Sequence, residues 1–182
     1  RLAGPVDPTK PDRSARPIDT RLALPLTDLA NEDPGTATNG VMRHLARRNL
    51  RRGHRLNIPS AQACLEGIEA RTGERLARLS ETELKSGPSA QALEDGGFVS
   101  QTPLWFYVLK EAEVLGTGGR LGPLGSRLVA ETLVGLLVHD AGSVLHRSGS
   151  GPNGAWHPRD GVRPRGQIID GMPAFFRGAG LM

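Results

Sequence analysis

The chain has 182 residues, enough for one domain with its own core and too few for two comfortable ones. Lys plus Arg total 23 against 19 Asp plus Glu; a net charge of +4 demands no anionic partner by itself, so clustering matters more than the sum. A single cysteine, Cys64, excludes an internal disulfide framework and any cysteine-rich zinc or iron–sulfur site.

The longest apolar run, 128–138, is interrupted by Glu131 and Thr132. It falls short of the roughly 20 residues a membrane-spanning helix needs, so no span is expected. Hydrophobic content of 37% with 24 Gly and 14 Pro suits helices joined by long loops. The chain opens on Arg rather than Met, and the expectation is a piece of a longer protein.

Residues 1–37 carry Pro5, Pro8, Pro11, Pro17, Pro25 and Pro34. Proline removes a backbone donor and blocks helix interiors, so an extended arm is predicted, with 18–26 apolar enough to pack against something. From 38 to 182 the pattern is helical. A first helix is expected over 38–53, with Asn39 as its cap and Gly53 as its left-handed terminator. A second fits 60–71, with Ala61, Cys64, Leu65 and Ile68 as its apolar stripe.

Ser80 followed by Glu83 reads as a capping box. Thr102-Pro103 opens a helix to about Leu115, because proline is tolerated in a first turn. The most apolar helix is expected over 122–138, with Leu124, Leu128, Val129, Leu133, Leu136 and Leu137 at core spacing. A Gly/Pro loop follows over 149–166 around Trp156, and a short helix is expected over 172–177. No segment alternates with period 2 and no internal repeat is visible. The fold class is mainly α.

The segment 41–55 carries the most chemistry. On a helix, Val41, Leu45, Asn49 and Arg52 fall within about 80° of each other, while Arg43, Arg47 and Arg51 follow the opposite face. No acidic residue lies between Asp33 and Glu66. Three roles compete for Asn49 and Arg52. They can be structural, with Arg52 paired to a carboxylate and Asn49 bonded to a neighbouring backbone. They can belong to a basic nucleic-acid-binding face, although aromatic residues and a recognised binding motif are missing around them. The third role comes from a resemblance.

Asn49-Leu50, Arg52-Gly53, Leu56, Pro59-Ser60 and Gln62 resemble the NLxRGxxLxxPSxQ segment of the bacterial branch of the animal-type haem peroxidase family, relatives of the myeloperoxidase and cyclooxygenase catalytic domains. Thr102 to Tyr107, Glu111-Ala112-Glu113 and residues 121–131 are similar to that family's late helices, in order. Residues 171–180 are similar to the closing segment of bacterial members, and Ile18-Asp19-Thr20-Arg21-Leu22 adds an upstream match. The resemblance covers nearly the whole chain.

It implies the C-terminal helical part of an all-α haem peroxidase domain with long Pro/Gly-rich loops. The parent enzyme would reduce hydrogen peroxide at haem and oxidise a small-molecule donor; a fatty-acid dioxygenase on the same scaffold is the nearest alternative. Asn49 would accept a hydrogen bond from the proximal histidine, Arg52 would face a haem propionate, and Leu45 would pack on the macrocycle. The residue types suit those roles. A neutral amide orients an imidazole without drawing off its proton, and a guanidinium matches a carboxylate bidentately.

The same resemblance places the proximal and distal histidines, the catalytic arginine and a calcium loop upstream of Arg1. The partners would be the remainder of the parent chain, peroxide and the donor, with no nucleic acid. The fragment alone would be inactive.

Of the five histidines, His44, His54, His139, His146 and His157, none stands in a segment resembling the family's iron-ligating or acid–base motifs, and all are expected to be surface or structural. Trp105, Phe106 and Tyr107 are expected in the core. Gly116-Thr117-Gly118-Gly119 has neither a preceding strand nor a following Lys-Ser/Thr, so a helix–helix turn is predicted rather than a phosphate loop. Ser126 lies in no nucleophile elbow, and hydrolase chemistry has no support.

Overall fold

A computed structural model describes residues 16–29, 42–157, 174 and 177. The chain is mainly helical, with no strand among the described residues beyond two isolated bridges, Ser60 to Pro103 and Ser148 to Ala155. The Asn39 cap, most of the proline arm and residues 158–173 lie outside the described residues. The single helix expected over 38–53 is broken at His44, whose extended backbone separates helical Met42 and Arg43 from the helix that follows. Ala174 and Arg177, within the expected terminal helix, are helical. Two compact units divide the chain, 1–128 and 129–182.

In the first unit, α1 (Leu45–Arg55) opens on His44, whose Nδ1 accepts the Arg47 N–H at 3.4 Å. The helix runs through Gly53, against expectation. Its left-handed residue is Asn57, at φ 50°, and the Ile58 and Asn57 amides bond back to the Gly53 and His54 carbonyls at 3.0 and 3.1 Å. That is a complete Schellman closure with asparagine in glycine's usual place; asparagine tolerates this region, so Gly53 was free to stay helical.

Helix α2 (Ala61–Thr72) is capped by the Ser60 hydroxyl and ends on Gly73 at φ 71°. Ala61 and Leu65 are buried, with Cys64 and Ile68 packed beside them. The Ser80–Glu83 box is present in both directions and opens α3 (Glu81–Leu84). Helix α4 (Ala90–Asp95) was not anticipated: six residues are too few to show a period, and Ser89 makes no side-chain cap.

Helix α5 (Leu104–Val114) is the hub. Helices α1, α2 and α3 all pack on it, and Tyr107 joins Ala61, Leu65, Leu84, Leu93 and Leu124 in the core. The Tyr107 hydroxyl accepts the Leu79 N–H at 3.0 Å, tying down the loop between α2 and α3. Helix α6 (Pro123–His139) begins against Glu111 of α5, a fully buried carboxylate. Its Oε1 and Oε2 accept the Leu124 and Gly125 amides, each at 3.0 Å. These are first-turn N–H groups with no partner inside their own helix. Glycine is required next door: a Cβ on Gly122 would sit 2.2 Å from Glu111 Cγ.

The arm is held at its two ends by backbone and polar contacts, whereas most of the apolar stretch 18–26 that was expected to pack does not: residues 23–26 are exposed, Leu24 by 83%. The Ile18 amide donates to the Gly118 carbonyl at 2.8 Å, and Pro17 lies where a Cβ on Gly118 would fall. Thr20 bonds Glu113 of α5, Glu113 pairs with the buried Lys110 at 3.4 Å, and Lys110 Nζ donates to the Ser86 carbonyl at 2.7 Å. At its other end Asp28 pairs with Arg43, and the Leu29 amide donates to the Arg43 carbonyl at 2.8 Å. The segment 116–119 is a turn, with Thr117 at φ 51° and Gly118 at φ 69°.

Only part of the predicted apolar face of α6 is covered. Leu124 is buried and Leu128 packs on the core, whereas Val129, Leu133, Leu136 and Leu137 are 41–66% exposed. Periodicity identifies a face that benefits from burial but not what covers it. In the second unit, the Ser143 hydroxyl donates to the Leu137 carbonyl and His146 Nε2 bonds the Val138 carbonyl at 2.9 Å, closing the end of α6. Residues 148–155 form a tight turn, with the Gly149 amide donating to Gly154 and Asn153 at φ 56°. Among the described residues, no helix is long and apolar enough to cross a membrane.

Burial raises the Glu111 pKa, against the smaller lowering effect of its two backbone hydrogen bonds. The folded state therefore holds this proton at pH values where the unfolded chain has lost it. Stability from this group is fully present below the ordinary glutamate range and falls as pH rises through the folded pKa. Glu111→Gln should flatten that falling limb in urea titrations from pH 4 to 8. It should also cost about 1–3 kcal/mol, because its amide nitrogen cannot accept one of the two N–H groups. An identical pH slope in both proteins would remove Glu111 as the source.

Candidate functional site: an apolar cleft between α1 and α5

The described residues enclose a cleft of about 710 Å³. That falls within the roughly 300–1,000 Å³ usual for small-molecule sites. Helix α1 and its exit supply Asn49, Arg52, His54, Leu56 and Ile58. Leu104, Trp105 and Phe106 come from the first turn of α5. Leu93 of α4 and Phe98 close a further side. The lining is predominantly apolar, with a small number of polar groups.

Two of the three sequence-predicted site residues meet here. Asn49 is half-buried and Arg52 exposed, both on the cleft wall; among the described residues neither side chain has a hydrogen-bond or ion-pair partner. The ordinary structural role, with Arg52 held by a carboxylate and Asn49 by a backbone group, is thus not seen among those residues. Leu45, one turn earlier, is half-buried and does not line the cleft. The opposite arginine stripe is not uniformly solvated: Arg43 pairs with Asp28, Arg47 is exposed and Arg51 is half-buried.

The aromatic cluster divides. Tyr107 is core, as expected, but Trp105 and Phe106 both line the cleft, with Phe106 also packed against the core. A helix turns by about 100° per residue, so three successive aromatics cannot share one environment. Phe98 is 44% exposed; its ring lies over Gly96, where a Cβ would approach it to 2.3 Å. Sequence inspection missed α4 and Phe98. The pair Gly96-Gly97 was the available signal, since it marks a place where a ring can lie against bare backbone.

The wall carrying Phe98 is fixed from behind by Gln62. Its Nε2 donates to the Val99 carbonyl at 3.1 Å and to Thr102 Oγ1 at 2.9 Å, while its Oε1 accepts the Thr102 amide at 2.9 Å. Thr102 is fully buried, and its hydroxyl donates to the Phe98 carbonyl at 2.8 Å. The Ala61 amide donates to the Thr102 carbonyl at 2.9 Å. The two sequence blocks ending at Gln62 and beginning at Thr102 are therefore one hydrogen-bonded unit.

Chemically, the cleft offers apolar faces, one guanidinium (Arg52), two primary amides (Asn49 and Gln101), the His54 imidazole and the hydroxyls of Ser60 and Ser89. These suit a flat or elongated apolar body bearing an anionic group, and haem with its propionates is of that kind. His54 is the histidine among the lining residues. No cluster of three or more His, Cys, Asp or Glu side chains able to hold a metal ion occurs among the described residues. Cys64 lies outside the lining, and partial burial raises its thiol pKa, which disfavours the thiolate.

Gly96→Ala tests the wall. Its φ suits alanine, and the new Cβ would conflict chiefly with the Phe98 ring, the Ala92 carbonyl oxygen lying at a tight 3.1 Å. The ring should swing outward at a cost under about 1 kcal/mol, small because it is already half in solvent. In a Trp156→Phe background, Trp105 emission should shift to the red; an unchanged spectrum would show that Phe98 does not shield this cleft. No family model, curated protein or solved structure matches the chain.

Proposed function

We propose that this chain is the C-terminal helical part of a haem-dependent peroxidase, and that the cleft between α1 and α5 forms one side of its haem site. One observation carries the proposal: Asn49 and Arg52, singled out by resemblance, line a common apolar cleft with the α5 segment that supplies the second block of that resemblance. The Gln62–Thr102 hydrogen bonds that join the blocks add to it.

Bound haem would supply the redox chemistry for reducing hydrogen peroxide and oxidising a small donor. The chain's own residues would bind and orient. Arg52 would hold a propionate through paired N–H donors, staying charged when partly desolvated. Asn49 would accept the second ring N–H of a histidine supplied by the preceding part of the protein, fixing its tautomer without taking its proton. Leu56, Ile58, Leu104 and Trp105 would exclude water from the macrocycle edge. The fatty-acid dioxygenase alternative uses the same wall, and no residue in the cleft favours it.

In the protein that includes the preceding segment, Asn49→Asp should strengthen the histidine's hydrogen bond and lower the iron(III)/iron(II) potential. Asn49→Leu should leave that ring nitrogen unpaired and cost about 10–100-fold in activity or affinity. Arg52→Ala should weaken haem retention with little effect on potential. If Asn49→Asp leaves the potential unchanged with haem fully bound, Asn49 does not face the axial ligand. Tight, steeply salt-dependent binding of a short oligonucleotide would instead assign Arg52 to a nucleic-acid surface.

A further inference from the structure

The cleft has two walls that are not continuous in sequence. One is α1 with its exit at Leu56 and Ile58; the other is the stretch from Phe98 to Phe106. Only short-range contacts could hold the second wall at a fixed separation, because its first half is irregular: Gly97 sits at φ 65° and Thr102 precedes a helix whose N-cap, Pro103, makes no side-chain bond. Three hydrogen bonds from one carboxamide meet that need. Both ends of the Gln62 amide are used, its nitrogen on Val99 and Thr102 and its oxygen on the Thr102 amide.

We propose that Gln62 is a positioning residue for the cleft, setting the separation of its two walls and so the affinity for an apolar anion between them. The proposal deepens the haem reading by naming what holds the site open, but it stands for any apolar anionic occupant. Gln62 is not among the lining residues. It acts by fixing Thr102, whose neighbours Gln101 and Pro103 line the cleft and whose hydroxyl holds the Phe98 carbonyl. Asparagine would be too short to span both partners, and glutamate reproduces the shape with the wrong chemistry. An ionised carboxylate can still accept the Thr102 amide, but it turns a second oxygen toward the Val99 carbonyl, where a donor is needed. Protonation restores that donor.

The test uses the whole 182-residue chain with two probes, hemin and 1-anilinonaphthalene-8-sulfonate, titrated from pH 5 to 8. Glu66 on α2, Arg52 and His54 on α1, and Glu94 and Asp95 on α4 are common to wild type and variant, so the ratio of affinities at each pH isolates position 62. Gln62→Glu should bind both probes roughly 10-fold more weakly than wild type at pH 8, as one mispaired, half-buried acceptor implies. It should recover toward wild type at pH 5.

A variant that binds like wild type at every pH overturns the proposal, as does a loss that does not recover on acidification. Should Gln62→Glu fail to fold at pH 8 by circular dichroism, Thr102→Val decides. It removes one Gln62 contact and the bond to Phe98 while keeping shape, and should weaken binding roughly 3-fold at all pH values; wild-type affinity there is equally fatal. If the sulfonate probe follows this pattern and hemin does not bind, the Gln62 clamp stands, and the haem reading is decided by the Asn49→Asp potential in the protein that carries the axial histidine. If neither probe binds the wild-type chain, the proposed clamp has no site to position and is overturned.

Discussion

The buried carboxylate of Glu111 is the contact on which the arrangement of the first unit depends. It places an ionisable group in the core, where desolvation disfavours its charge, and it does so at the start of the longest helix. Two first-turn amides of α6 turn inward there and would be unpaired without it. An α6 start that needs a partner and a carboxylate that needs donors satisfy each other only if α5 and α6 meet at Gly122, where no side chain intervenes. That meeting places Leu124 in the same core cluster as Tyr107, while α1, α2 and α3 pack on the rest of α5.

From this hub the structure spreads by long-range polar ties. Lys110 and Glu113, on the same helix as Glu111, reach the arm at Thr20 and the turn at Ser86. Tyr107 holds Leu79, and burial raises its phenol pKa further above the range where it could ionise. One helix thus organises three loops, each through a single side chain. None of these ties adds much net energy, since a folded hydrogen bond replaces one to water. Their effect is on specificity: losing one leaves a buried group unpaired, which costs more than the bond contributes.

Local rules made several elements legible in the sequence. Ser60 and Ser80 cap helices because a short hydroxyl can reach an amide two or three residues on, and the capping box needs only Glu83 at the right offset. The apolar stripe of α2 followed from spacing alone. Failures came where a choice between equivalent residues depended on tertiary context. Asn57 rather than Gly53 takes the left-handed turn, and neither residue type excludes the other. Six residues of α4 carry too little periodicity to be recognised, and a face of α6 that reads as core stays exposed. At the candidate site, the grouping of Asn49 with Arg52 on a helix face was visible. The cleft was not, because it is made by α4, Phe98 and the start of α5, which approach α1 only in three dimensions.

Every buried side-chain nitrogen and oxygen among the described residues has a partner. In such a chain, exceptions to local satisfaction at the edge of the buried interior carry information, since natural sequences break local rules chiefly where function requires it. Gln62 and Asn49 make the contrast concrete. Both are primary amides within one stretch of sequence, on the two helices that flank the α1–α2 turn. Gln62 uses both ends of its amide within the chain, whereas Asn49 uses neither among the described residues. The first amide is spent inside the chain beside the cleft, and the second would be available to an occupant of it. A guanidinium one helical turn further along the same wall, also without a partner among the described residues, would favour an anionic occupant.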